Sequence, residues 1–385
     1  MLAVAGSNSN STRFFIPLLN TFFKGSSLAA RFGRENNLNA VRLFLSLLVV
    51  FAHCFPLALG LERTRHFTVA CGEGAVNLFF FISGLLITMS WLRSKSMNDY
   101  LRKRIFRIYP GFIVALLFST IVMTAANPIL AKSVFSWTGI KTTLKGCVFL
   151  SSISLTGDAV FPRNPFPGAV NSSLWTIPIE FQCYLLICII GLFCLFRYRW
   201  WLLALFIYAY LLLGKGLWLG WDISAMDRRF LTYFSAGMCV CLWRDKIPCH
   251  WSIALVCVGL IIGSVFATFT FQFIAPFVLT YLTLWAGYAK PLKLTQWCNT
   301  TDLSYGVYLY AFPIQQLIAT STYGRNPWRM LLAAVPLTLL AALASWHVVE
   351  KPFLRLKAAR FVERDPAVNP PVVVTKTDAQ LAQAF

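Results

Sequence analysis

Histidine, glutamate and arginine side chains occur at four sites where the surrounding sequence is apolar. These sites are Arg42, His53, Glu180 and the pair His347 and Glu350. An ionisable side chain is costly to place in such surroundings, so each site is a candidate for a function. A histidine titrates near neutral pH and can take a proton from a hydroxyl group, while a carboxylate can orient the imidazole or balance its charge. His53 and Glu180 together therefore predict a catalytic site with a general base.

His53 and Glu180 also lie at similar depths within their apolar runs. If each run is a membrane-spanning helix rising about 1.5 Å per residue, His53 lies about 10 Å and Glu180 about 12 Å from the same membrane face. The same count gives about 14 Å for Ser83. Tyr184 follows Glu180 by four residues and shares its helical face. We expect these four side chains to form one polar layer, with Ser83 and Tyr184 binding substrate. Hydrogen bonding between helices without catalysis is the alternative explanation.

A second candidate cluster is basic. Arg104 and Arg107 are three residues apart in the segment 101–110, so they project from one face of a helix. Arg42 is predicted at the same membrane face. A guanidinium group presents a planar fork of donors that matches phosphate. The three arginines therefore predict a site for a phosphate-rich cofactor, although anchoring at the membrane face would explain any one of them alone.

The composition indicates that the elements carrying these residues are membrane helices. The chain has 385 residues, of which 58% are hydrophobic and 12% charged, whereas a soluble chain has about 25% charged residues. A soluble enzyme and a disordered chain are thereby excluded. An all-α polytopic protein follows, because backbone polar groups in lipid must be satisfied within a helix or a closed barrel. We predict about ten transmembrane helices, near 40–60, 74–92, 108–127, 172–196, 200–219, 229–244, 250–269, 272–289, 303–322 and 328–349.

The distribution of charge predicts the orientation. The net charge is +20, and 23 of the 34 Lys and Arg residues fall on the side that holds both termini. By the positive-inside rule both termini are cytoplasmic, and the excess of positive charge needs no nucleic-acid partner. Lipid is the partner that this charge favours.

A single membrane domain is predicted, over residues 38–356. It is flanked by cytoplasmic tails at 1–37 and 357–385, and its longest outer loop is 128–171. The 11 cysteines show no spacing typical of a metal site, so no metal is expected. Cys71 and Cys147, both in predicted outer loops, could form a disulfide.

Six motifs occur in an order that resembles the acyltransferase-3 family of bacterial membrane O-acyltransferases. They are Arg42-x10-His53, the segment 74–88, the Arg-x-x-Arg-Ile-Tyr-Pro sequence of 104–110, the segment 171–184, and the segments 303–310 and 349–353 near the end of the domain. Each motif alone is weak, but their common order covers about 38–356.

The resemblance implies transfer of an acetyl or other short acyl group from acetyl-CoA to a hydroxyl of a cell-surface carbohydrate, at the bacterial inner membrane. Exopolysaccharide and lipopolysaccharide O-antigen are the leading acceptors. His53 then corresponds to the family's essential histidine, with Arg42 beside it. Arg104 and Arg107 correspond to the arginine pair implicated in acyl-CoA handling, and Glu180 matches a recurrent acidic position.

Two other functions are compatible with the sequence. A transporter would also have many spans with polar residues near mid-membrane, but no repeat symmetry is evident. A non-catalytic subunit of a polysaccharide export complex would be indifferent to replacement of His53. The oligomeric state is not predicted.

Overall fold

The computed structural model describes Leu28 and residues 36–64, 66–152, 156–157, 159–219, 224–264, 268–289 and 293–355. Helices make up most of these residues, and the described part has no sheet beyond one isolated bridge between Thr156 and Ala169. The predicted tails at 1–37 and 357–385 lie almost wholly outside the described residues. The prediction of an all-α polytopic membrane protein is confirmed.

Thirteen α-helices are defined in the described residues. In chain order they are α1 Leu38–Leu59, α2 His66–Arg93, α3 Met97–Ala126, α4 Pro128–Val134, α5 Trp137–Phe149, α6 Thr176–Leu192, α7 Arg199–Leu219, α8 Ser224–Trp243, α9 Trp251–Ser264, α10 Thr268–Gly287, α11 Lys293–Thr300, α12 Ser304–Ala319 and α13 Pro327–Ser345. A 3₁₀ turn, Ser172–Trp175, leads into α6, and α13 continues as a π-helical turn, Trp346–Glu350. Each predicted span overlaps one of these helices.

Five segments of the described chain are long and apolar enough to cross a membrane by length and composition. They are Leu38–Leu59, Thr68–Arg93, Met97–Ala126, Ser172–Leu192 and Pro327–Arg355. Shorter apolar helices accompany them at Arg199–Leu213, Trp251–Ser264 and Phe271–Gly287. The protein is therefore a multi-pass membrane protein.

The predicted outer loop 128–171 contains two helices. Asn127 accepts a hydrogen bond from the backbone N–H of Ile129 and is followed by a proline, which is favoured in a first helical turn. Ser136 caps α5 by accepting from Gly139 N–H. Capping signals, rather than apolar length, create these two short helices. Cys71 and Cys147 are both free thiols.

A close crossing of α2 and α8 fixes one side of the bundle. A Cβ atom added to Gly84 would lie 2.0 Å from the carbonyl oxygen of Phe234, and one added to Gly237 would lie 2.2 Å from that of Phe81. Only glycine permits this approach of the two backbones. The crossing brings the first turns of α2 close to the first turns of α8, where Glu73 and Arg229 form an ion pair.

The 3₁₀ turn Ser172–Trp175 and α6 together form the α6 segment. The start of this segment is held in place at a proline of another helix, α12. Pro313 has no N–H for the carbonyl of Leu309, four residues earlier in α12. The Asn171 side-chain amide donates to that carbonyl at 2.9 Å and to Ser119 Oγ at 3.0 Å. The Asn171 side-chain oxygen in turn accepts from Ser173 N–H and caps the 3₁₀ turn. Asn171 thus ties α3, α12 and the α6 segment together.

Candidate active site

Three adjoining cavities run along the interior of the bundle. The arginine cavity, of about 60 Å³, is lined by residues that include Asn39, Arg42, Ser83, Arg104, Arg107, Glu180, Tyr184 and Asp302. The glutamate cavity, also about 60 Å³, is lined by residues that include Arg42, Ser83, Arg107, Thr176, Glu180, Tyr184, Tyr305 and Tyr308. The histidine cavity, about 240 Å³, is lined by residues that include His53, Phe166, Ser173, Trp175, Glu73, Arg229, Tyr308 and Phe312.

Shared lining residues give the order of the three cavities. The arginine and glutamate cavities share five side chains, among them Arg42, Arg107 and Glu180. The glutamate and histidine cavities share Val76 and Tyr308. The row therefore leads from the end of the bundle where α1 begins towards the end where α1 finishes.

Asp302 joins two of the arginines in the arginine cavity. Its Oδ2 accepts from Arg42 Nη1 at 3.0 Å and from Arg107 Nη2. Burial by itself would raise the pKa of Asp302, but the charges of Arg42 and Arg107 and hydrogen bonds from Ser304 outweigh it and hold that pKa below its ordinary value. Asp302 is therefore a buried anion that fixes the position of both guanidinium groups.

Glu350 is a second carboxylate on Arg107. Its Oε2 lies 3.8 Å from Arg107 Nη1, and its Oε1 accepts from Ser345 Oγ at 3.3 Å. Glu350 is in the π-helical turn after α13; π-helical turns inside helices are frequent at functional sites. Arg107 is thus oriented by Asp302, just before α12, and by Glu350, just after α13, while its side chain still lines the cavity.

Arg104 differs from Arg42 and Arg107 because no described carboxylate lies within ion-pair distance of it. The side chain is 5% exposed, donates to Ser90 Oγ at 3.2 Å, and has no hydrogen-bond partner for its Nε. Its guanidinium carbon lies 5.9 Å from the ring centre of Tyr100 and 5.8 Å from that of Tyr184. Its charge is stabilised by aromatic rings, so this cation is not neutralised by direct pairing.

Glu180 is held by two hydroxyl groups. Ser83 Oγ donates to its Oε1 at 3.1 Å, and Tyr184 donates to the same oxygen. Ser83 and Tyr184 therefore lie beside Glu180, as the depth along the helices predicted. Both hydroxyls already donate to the Glu180 carboxylate. Their predicted role in binding substrate stays a prediction.

His53 lies apart from the Glu180 cluster, in the histidine cavity. Its ring packs edge-on against Phe312 with 5.1 Å between ring centres, and its Nδ1 is buried without a hydrogen-bond partner. No hydrogen bond joins His53 to Glu180 in the described residues. His53 and Glu180 are not neighbours despite their similar depth, because Tyr308 lies where their two cavities meet. The Tyr308 hydroxyl lies 2.7 Å from Thr176 Oγ1.

The structure separates the last pair of candidates. Glu350 is buried beside Arg107, whereas His347 is exposed and its Nδ1 lies 3.0 Å from the carbonyl of Leu343 within its own helix. Sequence reasoning overlooked Asp302 as a site residue. The available signal was an acidic side chain directly before a predicted span, at a face where positive charges outnumber negative ones.

Comparison with known proteins decides the family. Residues 35–347 match the family profile described as an acyltransferase domain, Acyl_transf_3. The chain belongs to the acyltransferase-3 family. The match covers every lining residue of the three cavities except Leu354 in the arginine cavity.

Two relatives of this acyltransferase align over most of both chains. The chain is 26% identical over 348 residues to the O-acetyl transferase of Shigella phage Sf6, and this alignment covers 83% of this chain and 96% of the relative. It is 26% identical over 367 residues to Nodulation protein 10 of Rhizobium leguminosarum bv. viciae, covering 86% and 96%. No solved structure is significantly similar to the chain.

The chemistry of the site can be supplied by side chains. Among the described residues, no group of three or more His, Cys, Asp and Glu side chains is arranged to hold a metal ion. The titratable groups in the cavities are arginines, carboxylates, tyrosines and one histidine. These groups can bind an anion at one end of the row and move a proton at the other.

Proposed function

We propose that this acyltransferase moves an acetyl or other short acyl group from acyl-CoA to a hydroxyl of a cell-surface carbohydrate, such as exopolysaccharide or lipopolysaccharide O-antigen. The inner membrane is its proposed location. The observation that carries the proposal is the row of cavities, which has arginines at one end and, at the other, a histidine whose buried Nδ1 has no hydrogen-bond partner. Family membership and the name of the phage relative support O-acetylation as the reaction class.

The donor is assigned to the arginine cavity. The phosphates of acyl-CoA are anionic groups that suit a guanidinium fork. Arg104 has no ion-pair partner among the described side chains, and Arg42 and Arg107 are oriented by Asp302 and, for Arg107, by Glu350. With the phosphates held there, the narrow pantetheine arm would extend along the glutamate cavity and carry the thioester towards His53.

The transfer step is assigned to His53 as general base. The imidazole takes the proton of a sugar hydroxyl, and the hydroxyl oxygen bonds to the thioester carbonyl carbon. The carbon–sulfur bond then breaks, the coenzyme A thiolate leaves, and the proton held by His53 goes to the sulfur. The products are the sugar ester and free coenzyme A. Glu180, held by Ser83 and Tyr184 between the two ends, is assigned to balance positive charge in the glutamate cavity.

Donor binding tests the arginine assignment. Arg104→Ala and Arg107→Ala should each weaken acetyl-CoA binding by about tenfold or more, since each removes charge-assisted hydrogen bonds worth about 1.5–3 kcal/mol. Calorimetry on the purified protein in nanodiscs measures this affinity. Arg102→Ala is the matched control, because Arg102 is an exposed neighbour on the same helix that does not line the cavity.

Arg104→Lys separates charge from geometry. A lysine keeps the positive charge but lacks the planar fork, so intermediate affinity is expected. Wild-type affinity in Arg104→Ala and Arg107→Ala would contradict the assignment, and so would an equal loss of affinity in Arg102→Ala.

A further inference from the structure

The histidine cavity has features that the acyl donor does not account for. It is four times as large as either of the other two cavities, about 240 Å³ against about 60 Å³. A thioester arm needs little width, so the extra space must suit a bulkier group. The cavity lies at the end of the row remote from the arginines, where α1 finishes and where α2, the α6 segment and α8 begin.

Three residues that line this cavity have buried polar atoms without a hydrogen-bond partner. They are His53 Nδ1, Ser173 Oγ and Arg229 Nε. Ser173 is only 2% exposed, so its unpaired hydroxyl is shielded from solvent, and its backbone N–H and carbonyl already have partners. Buried polar groups are normally paired, so unpaired ones clustered around a cavity favour the binding of a polar ligand there.

A charged pair borders the same space. Arg229 Nη1 donates to Glu73 Oε2 at 2.6 Å, and the Glu73 side chain is 41% exposed. The pair presents donors and acceptors side by side with no net charge. A sugar hydroxyl is both donor and acceptor, so a neutral polyhydroxyl ligand suits this pair better than an anion does.

Aromatic rings complete the cavity. Trp175 is 41% exposed and lies 5.6 Å from Phe230, ring centre to ring centre. Phe166, from the segment before α6, packs on Phe312 at 5.9 Å, and Phe312 packs on His53. A flat apolar face beside a few placed polar groups is the usual lining of a small-molecule site.

We infer that the histidine cavity is the binding site for one uncharged sugar residue of the acceptor, with Trp175 stacking on the sugar ring and Ser173 and the Glu73–Arg229 pair binding its hydroxyls. The inference rests on the proposed function, because it takes the acceptor to be a carbohydrate. It adds a location and a specificity: these residues select the acceptor and hold one hydroxyl against His53. They are positioning residues and do not themselves react.

Acceptor and donor kinetics on the whole enzyme test the inference. The purified protein in nanodiscs is given radiolabelled acetyl-CoA and alkali-deacetylated surface polysaccharide of the source bacterium. Trp175→Ala should raise the acceptor concentration for half-maximal rate by about tenfold, and Ser173→Ala by severalfold, with the KM for acetyl-CoA unchanged. Trp137→Ala is the control, since Trp137 is an exposed tryptophan of α5 that does not line the cavity.

A charge exchange separates binding from structure at the ion pair. Glu73→Arg combined with Arg229→Glu keeps an ion pair between α2 and α8 but exchanges its donors and acceptors. Wild-type protein yield with a raised acceptor KM supports sugar binding by this pair. A wild-type acceptor KM in the exchange variant would show that the pair is purely structural.

The outcomes separate the inference from the proposed function. Wild-type acceptor KM in Trp175→Ala and Ser173→Ala, with acetylation proceeding, would overturn the sugar site while leaving the proposed function intact. A raised donor KM in both variants would also overturn it, because the cavity would then serve the donor. If the wild-type enzyme itself transfers no acetyl group to the polysaccharide, the proposed function fails and the sugar site falls with it.

Discussion

At the residue scale, one aspartate decides how the arginine cavity is built. Asp302 accepts from Arg42 and Arg107, and its Oδ1 accepts from the backbone N–H and the hydroxyl of Ser304 at the start of α12. Three helices are thus joined through one carboxylate. Arg104 lacks such a partner and is held by tyrosine rings instead. The three arginines therefore have different local environments, although the sequence presents them as alike.

Asp302→Asn should destabilise the protein. The substitution leaves two partly buried guanidinium groups without their shared anion, and breaking a buried ion pair costs about 3–5 kcal/mol. Because both arginine side chains retain some exposure, 20% and 17%, the lower end of that range is expected. Thermal unfolding in detergent measures the change, with Glu62→Gln, an exposed carboxylate outside the cavities, as the control. Equal unfolding temperatures for Asp302→Asn and wild type would contradict the assigned role.

The same carboxylate predicts a dependence on pH. The pKa of Asp302 is lowered in the folded protein, so the unfolded chain binds more protons in the interval between the two values. Its stabilisation is therefore complete above the ordinary aspartate pKa of about 4 and is lost as the pH falls below that value. Unfolding temperature measured from pH 7 to pH 3 should fall more steeply in wild type than in Asp302→Asn. Parallel curves for the two proteins would show that Asp302 does not contribute in this way.

At the element scale, helix breaks position the site. Pro313 interrupts the hydrogen bonding of α12, and Asn171 satisfies the carbonyl of Leu309 that this proline leaves free. Pro56, one turn after His53, likewise leaves a carbonyl without its helical partner in the wall of the histidine cavity. The prolines were visible in the sequence, but which side chain would complete each break depends on contacts between distant segments.

A double-mutant cycle tests the link between Asn171 and Pro313. Asn171→Ala should cost about 1–3 kcal/mol, because it leaves the buried carbonyl of Leu309 unpaired. In a Pro313→Ala background the restored N–H of residue 313 can pair with that carbonyl, so Asn171→Ala should cost less there. Unfolding in detergent of the four proteins gives the coupling energy. An identical cost in both backgrounds would show that the proline does not create the role of Asn171.

At the scale of the whole molecule, the sequence was sufficient for the longer helices but not for the short helices α4, α5 and α11. The apolar runs predicted where helices lie, because span length is set by membrane thickness. Depth arithmetic placed Ser83 near Glu180, as found. The same arithmetic could not show that His53 belongs to a different cavity, because depth along a helix says nothing of rotation about its axis. Asp302 was not predicted as a site residue, because its role depends on contacts with Arg42 and Arg107, which are far away in sequence.

In the proposed function, the molecule as a whole separates the donor from the acceptor. Anion-binding groups lie where α1 begins, and the histidine with its larger cavity lies towards the end where α1 finishes. With the predicted orientation, a cytoplasmic donor and a carbohydrate outside the inner membrane would meet within the bundle. If the proposed function holds, this arrangement lets a single chain modify surface carbohydrate with a cofactor that never leaves the cytoplasm.

The most direct test of the central claim is base-labile O-acetate on isolated surface polysaccharide, measured by NMR in a deletion strain. The strain is complemented with wild type, His53→Ala or His347→Ala, the last being an exposed histidine outside the cavities. We predict that O-acetate is lost on deletion and restored by wild type and His347→Ala, but not by His53→Ala. Full restoration by His53→Ala, at wild-type abundance in the membrane, would contradict the assignment of His53 as the general base.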